Sequence, residues 1–195
     1  MILKICEAGE RVLRHAAREL SEREIVSAKT QDLIGSMFET MRNAPGVGLA
    51  APQVGVSLQI AVIEDRQEYL DKVPVLHSTE RLRTPVNPHV IINPRLTVEP
   101  GNVVEFFEGC LSLPGFTAIV PRALAVRVES LNERAEPVTI EARGWYARIL
   151  QHEIDYLLGT MYIDRMLTRS FMGRENFDRH WKDMAVGECR RLLDA

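Results

Sequence analysis

The sequence predicts an α+β protein, with short antiparallel sheets packed around one central helix and helices toward both ends of the chain. Three observations carry that expectation. Leu124–Leu131 (LAVRVESL) alternates apolar and polar residues, Asn132–Glu136 turns, and Val138–Ala142 alternates again, which is a hairpin signature. Gly144–Leu158 then switches to a helical period, with Trp145, Ile149, His152 and Tyr156 on one stripe and Leu150, Ile154, Leu157 and Leu158 on its flanks. Only His152, Glu153 and Asp155 interrupt its apolar surface, so this helix belongs at the centre. Finally, 195 residues suffice for one domain with a proper core and are short for two, so residues 1–195 read as a single domain.

The elements follow in order. Residues 1–29 open on Ile2, Leu3 and Ile5 and continue as polar, helix-like material. Thr30–Ala44 carries Leu33, Met37 and Met41 at i, i+4 and i+8 with Ile34 and Phe38 beside them, an amphipathic helix with Thr30 as N-cap. Pro45-Gly46 ends it. Val47–Gly55 reads as a Gly/Ala/Pro-rich loop and Leu58–Ile63 as a buried strand. Glu64–Pro88 is polar with three prolines, and reads as a long surface loop and the most mobile part of the chain. Val90–Val98 and Val103–Phe107 are strands on either side of the turn Glu99–Asn102. Gly159 is placed to cap the central helix at its C-terminus, and Glu175–Leu193 reads as one polar C-terminal helix. No internal repeat or low-complexity tract interrupts this order.

Composition removes several classes of function. Apolar residues make up 46% and charged residues 26%, the balance of an ordinary globular chain. A net charge of −3 gives no basic field to draw the protein to nucleic acid or anionic lipid. Basic residues gather at Arg11–Arg18 and Arg165–Arg179, but acids are interleaved, as on a solvated mixed surface. Cys6, Cys110 and Cys189 are too few and too scattered for a disulfide framework, which points to a reducing, cytosol-like compartment. The opening MILKICEAGERVLRHAA lacks the apolar core of a signal peptide, and no run reaches bilayer length. A mature organellar form would read the same way.

Arg148–Gly159 (RILQHEIDYLLG) begins an H-E-x-x-H pattern at His152 and Glu153 and breaks it at Tyr156. Residues four apart on a helix share a face, so two imidazoles there would grip one divalent ion beside a carboxylate base. A phenol has an ordinary pKa near 10 and is a weak ligand unless a cation deprotonates it.

Two further stretches give this helix its context: Gly46–Gln53 (GVGLAAPQ) and Glu108–Ser112 (EGCLS). With Gln151-His152-Glu153 they closely resemble the three motifs of peptide deformylases, metalloenzymes that remove the formyl group from N-formylmethionine at the start of nascent chains. The resemblance runs from about Leu3 to Met166, takes in GWYARILQHE and GTMYIDRM, and is closest to the branch found in bacteria and mitochondria. The polar tail 167–195 carries no motif. The resemblance implies Cys110 and His152 as metal ligands, with Tyr156 where the family has its second histidine. It implies Glu153 as general base, and Gln53 and the Leu111 N–H as donors to the formyl oxygen, with Gly48 beside them. Gly46, Val47 and Gly48 would pair with an extended peptide, together with the Glu108–Gly109 stretch. Val47, Phe106, Trp145 and Ile149 would wall a methionine pocket. The implied cofactor is Fe(II), with Zn(II), Ni(II) or Co(II) as substitutes, and the implied partners are N-formylmethionyl nascent peptides. Docking at the ribosome stays open, as does a monomeric or homodimeric state. No nucleic-acid or membrane site is implied.

Tyr156 leaves three readings standing: a ligand through phenolate or water, an ion-free and inactive pocket, or a change introduced into an ordinary enzyme. The rival function is therefore a deformylase homologue that binds peptide or ribosome without chemistry. An H-E-x-x-H metalloprotease fits worse, because GVGLAAPQ has no role there. His15, His77, His89 and His180 lie outside the motifs and read as surface or structural residues.

Overall fold

The computed structural model describes residues 1–44, 46–73 and 75–195. After a 3-10 turn at Arg11–Arg14 come α1 (Glu22–Ile25), α2 (Ala28–Asn43), β1 (Gly48–Ala50), β2 (Ile60–Asp65), α3 (Gln67–Leu70), α4 (Val75–Glu80) and β3 (Val86–Val98). Then follow β4 (Val103–Cys110), β5 (Leu113–Ala123), β6 (Ala125–Leu131), β7 (Pro137–Arg143), α5 (Trp145–Leu157), β8 (Met172–Gly173), α6 (Arg174–His180) and α7 (Val186–Leu193). One sheet has the order β1-β2-β3-β6-β7 and the other β4-β5-β8, all pairs antiparallel. This is the α+β class expected, with α5 as its central helix.

Side-chain alternation explains why helices cover both faces of the larger sheet. In β2, Ala61 and Ile63 turn to the α5 side, where Ile149, Leu150, Ile154 and Leu157 pack. Ile60 and Val62 turn the other way and meet Ile34, Met37 and Met41 of α2. A strand covered on both faces cannot show a clean polar alternation, and all six residues of β2 are buried. Burying one such isoleucine contributes roughly 1.5–3 kcal/mol, so this strand anchors the layers. The smaller sheet is covered by the C-terminal helices, through Phe107 and Ile119 against Phe177 and Cys189.

Several expectations are corrected. Thr30 does not cap α2; Ser27 does, accepting from the Thr30 N–H at 3.4 Å, while the Thr30 hydroxyl donates to the Glu24 carbonyl at 2.7 Å. The helix ends with the Ala44 N–H on the Thr40 carbonyl; Pro45, assigned a part in ending it, lies outside the described residues. Val47–Gly55 is not a plain loop, because Gly48 pairs opposite Ile63 in β1 and Ala51–Val54 forms a 3-10 turn. Glu64–Pro88 holds α3, α4 and the start of β3, although Pro74 is outside the described residues. The fully buried Asp65 holds Arg83 of this segment through two bonds of 2.8 Å. β5 was not foreseen, since Pro114, Gly115 and Pro121 punctuate it. The expected single C-terminal helix is two, because the Trp181 and Lys182 N–H groups both turn back onto the Phe177 carbonyl. Gly159 does follow α5, at φ 76.

Candidate functional site

The three motif stretches converge on one cavity of about 540 Å³. The lead into β1, β1 itself and the turn after it bring Gly46, Val47, Gly48 and Gln53 to its wall, the end of β4 and the residue after it bring Glu108, Gly109, Cys110 and Leu111, and α5 brings Trp145, Ile149, His152 and Glu153. Phe106 is not on that wall. It lies beneath the guanidinium groups of Arg81 and Arg148, at 5.4 and 5.3 Å, and Phe107 lines the cavity instead. Alternation along β4 places neighbouring residues on opposite faces, which a motif match does not reveal. None of His15, His77, His89 and His180 lines it. Four arginines that sequence reasoning missed do: Arg81, Arg83, Arg148 and Arg174.

Around the Cys110 sulfur gather the Ser112 N–H at 3.3 Å, the Gln53 side-chain amide at 3.4 Å and the Tyr156 hydroxyl at 2.7 Å. Gln53 is held at its other end, where Oε1 accepts from the Ala50 N–H at 2.8 Å. Burial, with Cys110 alongside, raises the Tyr156 phenol well above its ordinary range. Tyr156 therefore keeps its proton and shares a hydrogen bond with the sulfur in which either atom can be the donor.

His152 is oriented by Glu108, whose Oε2 lies 2.9 Å from Nδ1. With Nδ1 engaged, Nε2 is the nitrogen left free for another partner, and Cys110 stands close enough to act on the ring. Burial opposes charge on that ring, but Cys110 and Glu108 outweigh it and raise the imidazolium pKa to about 10. Glu108 in turn receives Arg122 at 2.9 and 3.0 Å and Arg148 at 2.5 Å. Burial pushes its carboxyl up, yet His152 and Arg122 hold it well below the usual carboxylate range. Arg122 also pairs with Asp155, which holds Arg165 at 2.7 Å on both oxygens.

Glu153 differs from every acid around it. Its Oε2 is buried with no hydrogen-bond partner among the described residues. Burial raises its pKa to about 7, only partly offset by His152 and Arg122. The carboxylate lies so close to Gly48 that a Cβ there would collide with it. That collision explains the glycine: the backbone of β1 forms the wall against which Glu153 rests.

The donors fit a divalent ion only in part. Thiolate and imidazole suit such an ion, and a carboxylate on the far imidazole nitrogen is the usual outer support. Cys110 and His152 meet both conditions. Tyr156 does not complete the set, because sulfur and oxygen ligands of one tetrahedral ion stand about 3.5 Å apart, whereas this hydroxyl sits 2.7 Å from Sγ. Among the described residues no three His, Cys, Asp or Glu side chains gather as a ligand group.

An imidazole and an unpartnered carboxylate on one buried helix thus face a cysteine at a strand end across one cavity. The chain belongs to the polypeptide deformylase family, whose profile matches residues 2–171. It is 45% identical over 174 residues to the chloroplastic peptide deformylase 1A of Solanum lycopersicum, covering 89% of this chain and 63% of that protein. To peptide deformylase 1 of Streptomyces coelicolor it is 42% identical over 179 residues, covering 92% of this chain and 80% of the relative. A class I type b peptide deformylase from Acinetobacter baumannii with Met-Ala-Ser bound superposes with a TM-score of 0.75 at 31% identity, over 85% of this chain and 99% of that one. The chain thus spans less than two thirds of the tomato protein's length. Among the described residues no helix is long and apolar enough to cross a membrane.

Proposed function

We propose that the chain hydrolyses the N-formyl group of N-formylmethionyl peptides, releasing formate and a free amino terminus. The observation that carries this reading is Glu153: a buried carboxylate with an open oxygen, a pKa of about 7, and a glycine wall beside it. A structural acid on a buried helix is paired, as Asp155 is; an unpaired one tuned to neutrality is a proton carrier. The Met-Ala-Ser found on the Acinetobacter relative supports a peptide as the ligand. The compartment that goes with this reading is wherever formylated chains are made, cytoplasmic or organellar.

Cys110 and His152 would hold a divalent ion, which when bound supplies an acidified water beside the formyl carbon. Iron(II) fits these two donors, as do zinc, nickel and cobalt. Glu153 takes a proton at Oε2 and returns it to the departing amine. Gln53 Nε2, which rests 3.4 Å from the Cys110 sulfur and 3.2 Å from the Ser112 hydroxyl, offers a donor to the formyl oxygen by turning from them, with the Leu111 N–H as the second. Gly46 and Val47 lead into β1, the edge strand of the larger sheet, and with Gly48 offer backbone on the cavity wall against which an extended peptide can lie. Trp145 and Ile149 give the methionine side chain an apolar wall, and Glu108 acts through His152 by fixing its ring.

A second reading, binding without turnover, is favoured by the Tyr156–Cys110 hydrogen bond. One experiment separates the two. Deformylation of formyl-Met-Ala-Ser is measured on protein purified without oxygen and supplied with iron(II) or cobalt(II), alongside Glu153→Gln. The expected result is turnover in the parent and a loss of at least about a hundredfold in the variant. Peptide binding with no turnover in the parent would establish the second reading, and undiminished turnover in Glu153→Gln would remove Glu153 as the base.

A further inference from the structure

Four guanidinium groups line the cavity, and three of them are neutralised. Arg83 has Asp65 at 2.8 Å, Arg148 has Glu108 at 2.5 Å, and Arg174 has Asp178 at 3.1 Å. Arg81 has none: among the described residues no carboxylate stands within ion-pair distance of it. The nearest acid in sequence, Glu80, faces His77 at 3.6 Å. Arg81 instead lies over the rings of Trp145 and Phe106, at 4.9 and 5.4 Å. Aromatic faces compensate part of a cation's lost hydration, but they do not neutralise it. Burial and the neighbouring Arg83 and Arg148 push its pKa down to about 10, with Glu80 offsetting them only in part, so the arginine is held where charge is opposed. A partly buried cation among three others, open to a cavity and lacking its own anion, is a receptor for one.

Position decides which anion. Trp145, under Arg81, and His152, beside the reacting end, lie seven residues apart on α5, about 10 Å along the helix. Residues two apart on an extended peptide share a face and stand about 7 Å apart, with side-chain length added. We propose that Arg81 is a specificity-determining residue that binds a carboxylate at the third residue of the peptide. This rests on the peptide reading above. The carboxylate can come from an acidic side chain there or from the end of a tripeptide. The chemistry is shared: a bidentate guanidinium–carboxylate pair backed by an indole.

The test uses peptides that cannot turn over. Calorimetric affinities are measured for Met-Ala-Asp amide against Met-Ala-Asn amide, and for Met-Ala-Ser as free acid against its amide. The parent is expected to bind the carboxylate member of a pair about tenfold more tightly, less so as salt rises. A preference in the first pair assigns the side chain as source, and in the second pair the terminus. Arg81→Gln is expected to bring the ratio near one, and Arg81→Lys to restore part of it, since charge survives but the fork is lost. Thermal unfolding checks that both variants are folded. Equal affinities within both pairs, or a preference that persists in Arg81→Gln, overturns the proposal while leaving the peptide reading intact. Failure to bind any of the four peptides overturns both.

Discussion

At the scale of single residues, Tyr156 decides how this site differs from the arrangement its helix begins to build. To act as a ligand the phenol must shed a proton whose free pKa lies about three units above neutral, at roughly 1.4 kcal/mol per unit. Burial and Cys110 raise it further. His152 must also give up a proton held up to about 10. Ion uptake therefore releases protons and tightens as pH rises. Tyr156→His removes the phenol's share and supplies a neutral imidazole four residues beyond His152. It is expected to bind zinc or cobalt at least about a hundredfold more tightly, and to show the thiolate absorption of a cobalt site at lower metal. Metal titrations of both forms from about pH 6 to pH 9 read this out. Equal affinity throughout would mean that position 156 never competes for the ion.

At the scale of elements, α5 is set by its two ends. Its C-terminal stop places Gly159 at φ 76 with its α-carbon facing the Arg14–His15 backbone, where a Cβ would come within 2.8 Å of the His15 nitrogen. Gly159→Ala combines a left-handed strain with that contact, and is expected to lower unfolding stability by roughly 1–3 kcal/mol. Urea denaturation measures it, and an unchanged midpoint would show that the His15 segment yields freely. This end was legible in the sequence, as were α5 and the β6–β7 hairpin, because each repeats one period over several turns or pairs. β5 was not, since Pro114, Gly115 and Pro121 carry turn chemistry inside a paired strand. The segment after Asp65 read as loose because what fixes it is a distant ion pair, Arg83 with Asp65. The site shows the same division. Cys110, His152, Glu153 and Gln53 were found by motif, whereas Arg81 and Arg122 belong to no local pattern and owe their place to what they face.

At the scale of the molecule, the charges centred on Glu108 tie the smaller sheet to the central helix. Arg122 of β5 and Arg148 of α5 both end on that carboxylate, and Arg122 continues to Asp155. Replacing Glu108 by Gln leaves the buried Arg148 without an anion and Arg122 with Asp155 alone, and is expected to cost about 3–5 kcal/mol. The pH dependence follows in sign. Glu108 is held below its ordinary range, so its stabilisation is complete above about pH 4.3 and drains as pH falls below it. His152 is held above its ordinary value, so its stabilisation is complete below about pH 6.5 and is lost as pH rises toward about 10. For the metal-free protein the urea midpoint should be highest between those two limits and fall on both flanks, with Glu108→Gln flattening the acid flank. A profile indifferent to that substitution would show that the cluster contributes nothing to folding.

Glu108 and Cys110 ride together on the last residues of β4, while His152, Glu153 and Tyr156 ride together on α5. The site is thus a caliper with two jaws, and Glu108 is the pin, since it belongs to one jaw and grips the ring of the other. If the β4–β5 hairpin swings, the sulfur and the support of the imidazole swing with it, and the gap between them changes little. Fine adjustment of that gap then falls to Arg122, which lines no part of the cavity and holds the pin from behind.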